Sequence, residues 1–266
     1  MIRLEYRDVA MLFPDADGGG VTAIEGVSFS VGDGEVVALI GPSGCGKSTL
    51  LNIGSGLYPP SAGQARVDGE PVRGPNAHVA FMLQKDLLLP WRTIAENVML
   101  GGEIQGQSRS ECQRRANELL RNFSLSDFAN YYPHQLSGGM RQRVALARTL
   151  AVDPSVLLLD EPFSAVDAQT RIVLQRELAQ ALKRAKKTAL LITHDLLEAV
   201  ILSDRVLVMS RRPGHIVDEI IIEIGDREDP FLRRQSPKVS GYISRLMDRL
   251  DIGHAGIDPQ AAPQPV

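Results

Sequence analysis

Residues 38–57, ALIGPSGCGKSTLLNIGSGL, decide how this chain folds. An apolar run ends at Ile40 in a glycine-bearing turn, Lys47, Ser48 and Thr49 follow, and a second apolar run begins. Gly41, Gly46, Lys47 and Ser48 satisfy G-x-x-x-x-G-K-[ST], after a strand and before a helix, as the mechanism of that motif requires. Glycines let backbone N–H groups converge without side-chain clash, so the turn through Gly41, Pro42, Ser43, Gly44, Cys45 and Gly46 makes a concave anion nest. The helix that follows adds the positive end of its dipole. Lys47 then reaches the β- and γ-phosphates of a nucleotide, and the Ser48 hydroxyl ligates Mg²⁺, with Thr49 beside it. A plain glycine-rich turn would match by chance in roughly one chain in a hundred of this size, and less often with the right flanks.

Working outward, EVVALI, SVLLLD, TALLIT and RVLVMS are short, nearly continuous apolar runs. Such runs suit central strands covered on both faces, hence a mostly parallel sheet flanked by helices. GVSFSV instead alternates Val27, Phe29 and Val31, as a half-buried strand does, in an N-terminal β part. One helix is expected from about Met140 to Ala151, and another from an N-cap at Asp167 to the cations of KRAKK. Between about Lys85 and Tyr132 the strand runs vanish. Ser108 with Glu111 suggests a capping box there, and a helical subdomain over about 85–153 is expected as an insertion in the α/β core. Beyond residue 225 the chain turns polar. GYISRLMDRLDI suggests one amphipathic helix, and the proline-rich end, DPQAAPQPV, a frayed tail.

The 266 residues carry a net charge of -3, which argues against a nucleic-acid binder that works through bulk charge. Two cysteines, Cys45 and Cys112, imply no disulfide framework. The N-terminus MIRLEYRDVAML lacks a signal peptide's apolar core, and no run approaches the roughly 18 apolar residues of a membrane helix. A cytoplasmic protein is expected.

Two more segments carry chemistry. VLLLDEP places Asp160 and Glu161 at the tip of a buried strand, which is expected beside the strand of the phosphate loop. An Asp there can hold Mg²⁺ through water, and the adjacent carboxylate orients or activates an attacking water. In LSGGMRQR, Leu136, Ser137, Gly138 and Gly139 open a second helix start able to hold an anion. One nucleotide does not need two cradles in one chain. Two chains facing head to tail would use both.

With these residues in place the chain resembles the ATP-binding subunit of an ABC transporter over about residues 2–225. The phosphate loop, LSGG and LLLDEP occur in that family's order, with Gln84 in FMLQKD, SAVD from Ser164 to Asp167, and His194 in ITHD. The resemblance implies an α/β P-loop NTPase core, ATP and Mg²⁺ as ligands, and ATP hydrolysis. It further implies that Gln84 ligates Mg²⁺ or positions water and senses the membrane subunit. His194 is implied to contact the γ-phosphate, and Asp167 to lie at a dimer interface. Ser137, Gly138 and Gly139 are implied to touch the ATP of the opposite protomer, and Phe13 to stack on adenine, although DADGGG lengthens the loop after it. Val166 stands where Leu is more usual.

LQKDLLLPWRTIAENVMLG, EPFSAVDAQTR and SRRPGHIVDEI resemble importers of the nitrate, sulfonate and taurine group. That implies a peripheral subunit on the cytoplasmic face of the membrane, paired with a second copy or a related ATPase. Its partners are transmembrane permease subunits, supplied by an extracytoplasmic solute-binding protein. LLLPW, with the sole tryptophan Trp91, is the expected lip of the socket for the membrane subunit; the alternative is that it packs the helical insertion. A soluble ABC ATPase acting on nucleic acid or ribosomes would be expected to carry a second cassette, a long coiled coil or zinc-binding cysteines, and none is visible.

Overall fold

The computed structural model describes residues 1–15, 19–164 and 166–251. The chain opens with β1 (Ile2–Pro14), β2 (Gly20–Gly32) and β3 (Val36–Ile40), then α1 (Lys47–Gly54), β4 (Ala62–Val67), β5 (Glu70–Pro71) and β6 (Val79–Met82). Three helices follow, α2 (Ile94–Ile104), α3 (Arg109–Asn122) and α4 (Gly138–Ala151). Then come β7 (Val156–Asp160), α5 (Ala168–Arg184), β8 (Thr188–Ile192), α6 (Leu196–Leu202), β9 (Arg205–Met209), β10 (Ile216–Ile221), α7 (Pro230–Arg234) and α8 (Lys238–Arg249).

Two sheets result. One is antiparallel, in the order β2-β1-β4-β5; the other runs β10-β9-β3-β8-β7-β6 and is parallel except where β10 meets β9. Side chains alternate across the larger sheet as the period of two demands. Val37 and Leu39 of β3, Val156 and Leu158 of β7, and Leu190 and Ile192 of β8 pack with α1 and the antiparallel sheet. Their neighbours Val36, Leu157, Leu159, Ala189 and Leu191 pack with α2–α5, while Ala38 and Ile40 meet α6 and α8. Burial on both faces is why these runs read as continuously apolar. Tyr6 of β1 ties the smaller sheet to α1: its hydroxyl donates to Leu50 O at 2.8 Å, and a Cβ on Gly54 would lie 2.2 Å from the Tyr6 hydroxyl oxygen.

Two sequence expectations need correction. β8 lies between β3 and β7, so the strand that ends at Asp160 is not adjacent to the one that feeds the phosphate loop. Ser108 caps α3 by accepting from Glu111 N at 3.2 Å, but Glu111 does not reach back, because its carboxylate pairs with Arg114. The complete capping box belongs to α2, where Thr93 and Glu96 bond reciprocally.

The amphipathic reading near the C-terminus falls on α8, whose Val239 and Leu246 bury against Val200, Ile220 and Ile222. Arg233 of α7, 2% exposed, fixes this extension by donating to Ser203 O at 2.7 Å and Ile224 O at 2.8 Å. The proline-rich tail lies outside the described residues.

Candidate functional site

Between β3 and α1 the chain wraps around its own amides. Gly44 and Gly46 hold φ of +75° and +103°, a region that side chains resist. A Cβ on Gly46 would also sit 2.3 Å from Ile24 Cγ2, and one on Gly41 2.9 Å from Met209 Cβ. Lys47 lies across the loop, its Nζ donating to Gly41 O at 2.8 Å and Pro42 O at 2.9 Å. Cys45 is buried beneath, with Sγ 3.7 Å from that ammonium.

The loop forms the floor of a cleft of about 560 Å³. Of the residues predicted from sequence, Phe13, Gly41, Ser43, Gly44, Gly46, Lys47, Ser48, Thr49, Glu161 and His194 line it. Pro42, Cys45, Gln84 and Asp160 do not, Cys45 because it packs underneath. Phe13, near the end of β1 and 38% exposed, stands edge-on to Tyr58 with ring centroids 6.1 Å apart. A half-exposed ring at a cleft wall is free to take a planar ligand on its open face.

Asp160 and Glu161 are adjacent yet face different partners. Glu161 has a φ of +46°, and this kink is held by Glu161 N donating to Ile192 O at 3.0 Å and Ser164 N donating to Glu161 O at 3.2 Å. Ser48 hydrogen-bonds the Asp160 carboxylate, which burial pushes above the usual carboxylate range, aided by the charge of Glu161. The Glu161 carboxylate gathers two predicted residues on one oxygen: Gln84 Nε2 donates to Oε2 at 3.0 Å, and His194 Nδ1 lies 3.3 Å from it. That oxygen can take a proton from a water held in the cleft, with the imidazole and amide fixing its direction.

Leu136, Ser137, Gly138, Gly139 and Asp167 are not in the cleft. They form a second constellation. Ser137 caps α4, its Oγ accepting from Met140 N at 3.3 Å, while Leu136 is buried. Asp167 caps α5 and accepts from Thr170 Oγ1 at 2.6 Å, which holds its carboxyl below the usual range. Thr170 joins the two, since a Cβ on Gly139 would meet Thr170 Cγ2 at 2.4 Å.

Sequence reasoning missed Val21, Ala23, Ile192 and Arg212 among the cleft residues, and a buried group behind His194. Glu198, 4% exposed, accepts from Gln175 Nε2 at 3.0 Å and from the hydroxyl of Thr193, the residue before His194. Arg171 closes the group, with Nη2 donating to Val166 O at 3.3 Å and Nη1 3.7 Å from Asp195 Oδ2. Nothing in the sequence marks Glu198 as buried except its place on an apolar helix.

Burial raises the pKa of Glu198 in the folded chain above its unfolded value. Its contribution to stability is therefore fully present below the ordinary carboxylate range, about pH 4.3, and is lost as pH rises through the raised value. Glu198→Gln keeps an acceptor and removes the charge. Melting temperature measured from acid to neutral pH should fall less steeply for Glu198→Gln than for the parent, and at neutral pH the variant should melt at least as high. Equal slopes would remove Glu198 as the titrating group.

The fold and the site define a phosphate-loop ATPase of the α/β class. The family model described as ABC transporter matches residues 24–164. An uncharacterized ABC transporter ATP-binding protein of Methanocaldococcus jannaschii is 43% identical over 94% of this chain and 91% of its own length. The taurine import ATP-binding protein TauB of Burkholderia pseudomallei (strain 1710b) is 48% identical over 82% of this chain and 83% of its own. A solved dimeric bacterial ABC transporter cassette superposes with a TM-score of 0.74 at 30% identity, over 83% of this chain and 99% of that one. The chain belongs to the ABC transporter family, and it is an ATP-binding subunit that hydrolyses ATP.

Proposed function

We propose that this subunit powers an ABC importer for a small anionic or sulfonate-type solute, on the cytoplasmic face of the membrane, through partner permease subunits. An extracytoplasmic solute-binding protein would deliver the solute. No helix among the described residues is long and apolar enough to cross a membrane. The observation that carries the reading is a short mechanical link. Gln84, bonded to the Glu161 carboxylate at 3.0 Å, opens a segment that exposes Leu87 and Trp91, the latter 72% exposed. Leu88 anchors this segment inward, and Asn97, fully buried, clamps its turn by donating to Leu89 O, Arg92 O and Thr93 O at 3.0–3.1 Å. A rigid, apolar, solvent-facing lip joined to a catalytic carboxylate is suited to transmit a push from a membrane helix.

In this reading residues 1–225 form the ATPase domain, with the helical subdomain over about 85–153, and residues 226–266 an extension. Glu161 is the general base, and His194 and Gln84 direct it. Mg²⁺ fits the donor set of Ser48 Oγ, the Gln84 amide oxygen and Asp160: all are hard oxygen ligands, and Asp160 is a half-buried carboxylate whose charge a cation would offset. The bound cation would neutralise charge on the β- and γ-phosphates. Two copies, or this chain and a related ATPase, would each offer Leu136–Gly139 and Asp167 to the nucleotide in the other's cleft.

Because Trp91 is largely exposed, Trp91→Ala should change stability by no more than about 0.5 kcal/mol. It should nonetheless impair solute uptake, or recovery of a polytopic membrane protein in pull-downs, with ATP binding intact. If uptake and recovery are unchanged, the lip is not the docking surface.

A further inference from the structure

The turn between β9 and β10, residues 210–215, is built onto the phosphate loop. Gly214 N donates to Ala23 O at 2.9 Å and Glu25 N donates to Gly214 O at 3.0 Å, so the turn is stitched to β2. A Cβ on Gly214 would lie 1.9 Å from Cys45 O, so only glycine allows this contact with the loop. Ser210 Oγ stiffens the turn, accepting from His215 N at 3.0 Å and donating to Pro213 O at 3.2 Å. From this platform Arg212 reaches over the loop and lines the cleft. Its Nε and Nη2 both donate to Gly44 O, at 3.1 and 2.9 Å. Among the described residues Arg212 has no carboxylate partner within ion-pair distance, and its Nη1 has no hydrogen-bond partner. A guanidinium with two nitrogens pinned to the phosphate loop and a third left over is pre-oriented for an anion.

We propose that Arg212 is a nucleotide-binding residue, the second cation of the cleft after Lys47, which holds Gly44 in place and offers Nη1 to a phosphate oxygen of the bound nucleotide. The inference rests on the reading of the cleft as the ATP site. Phosphate is favoured over base or ribose because the guanidinium is tethered at Gly44, inside the anion nest itself.

The test measures dissociation constants by calorimetry on the full chain, with ATP and with inorganic tripolyphosphate, which has phosphates but no base. Arg212→Gln removes the charge and should weaken both ligands about tenfold, the low end for a charge-assisted hydrogen bond at a solvent-accessible site. Arg212→Lys keeps the charge and should recover part of that loss for both. The gap between parent and Arg212→Gln should narrow as salt is raised. Loss for ATP without loss for tripolyphosphate would place Arg212 on the base or ribose and overturn the proposal. So would an equal, salt-insensitive loss for Gln and Lys, the mark of a merely structural brace. Lys47→Ala, run in parallel, separates the two levels. If it weakens ATP and Arg212→Gln does not, only the role of Arg212 fails; if it does not weaken ATP, the reading of the cleft fails. Should Arg212→Gln fail to fold, Arg212→Lys decides by whether its affinity keeps the parent's salt dependence.

Discussion

Glu161→Gln is expected to lower ATP hydrolysis by ~10²–10⁴-fold, the usual worth of general-base catalysis, or roughly 3–5 kcal/mol of barrier. Glutamine keeps the size of the side chain and an acceptor for Gln84 Nε2, which lies 3.0 Å from the native carboxylate, but it cannot take the proton of water. The kink at Glu161 is held by backbone bonds to Ile192 and Ser164, so the substitution should leave the local geometry alone. ATP binding should survive because the loop, Lys47 and Ser48 are untouched. With ATP bound and uncleaved, each nucleotide would bridge one chain's cleft and the other chain's Ser137–Gly139, so the variant should accumulate as an ATP-dependent dimer. Light scattering with and without ATP checks this. A Glu161→Gln chain that stays monomeric at high concentration would leave the two-cradle argument without support.

Lys47→Ala should nearly abolish hydrolysis and weaken ATP about 10–100-fold, as expected for loss of a charge-assisted phosphate contact worth about 1.5–3 kcal/mol. The side chain is nearly buried, yet its shortest bonds go to Gly41 O and Pro42 O of the loop itself, with Cys45 Sγ farther off at 3.7 Å. The nucleotide-free variant should therefore melt within a few degrees of the parent. Unchanged ATP affinity by calorimetry would remove the loop as the phosphate site.

What was legible beforehand followed from local rules. The glycines at 41, 44 and 46, Lys47 and Ser48 announce a nest because φ, anion and dipole act within one turn of chain. The apolar runs of β3, β7, β8 and β9 announce a sheet buried on both faces because each strand must satisfy both sides by itself. Helix caps at Ser137 and Asp167 are local in the same sense. Gln84 and His194 were legible only through family likeness, for no local rule separates a chemical glutamine from a solvated one.

Tertiary structure decided the rest, since those facts depend on which distant segments meet. β8 enters between β3 and β7, an order that periodicity within a strand cannot specify. Gln84 and His194 meet on one oxygen of Glu161 only because β6, β7 and β8 lie side by side in the sheet. Trp91 could have been core or surface from its spacing, and its exposure follows from Asn97 turning the segment outward. Arg212 reads as one cation in a turn, yet the pairing of Gly214 with β2 places it over Gly44. A side chain's type is written in its residue, but its partner across the fold is chosen by packing.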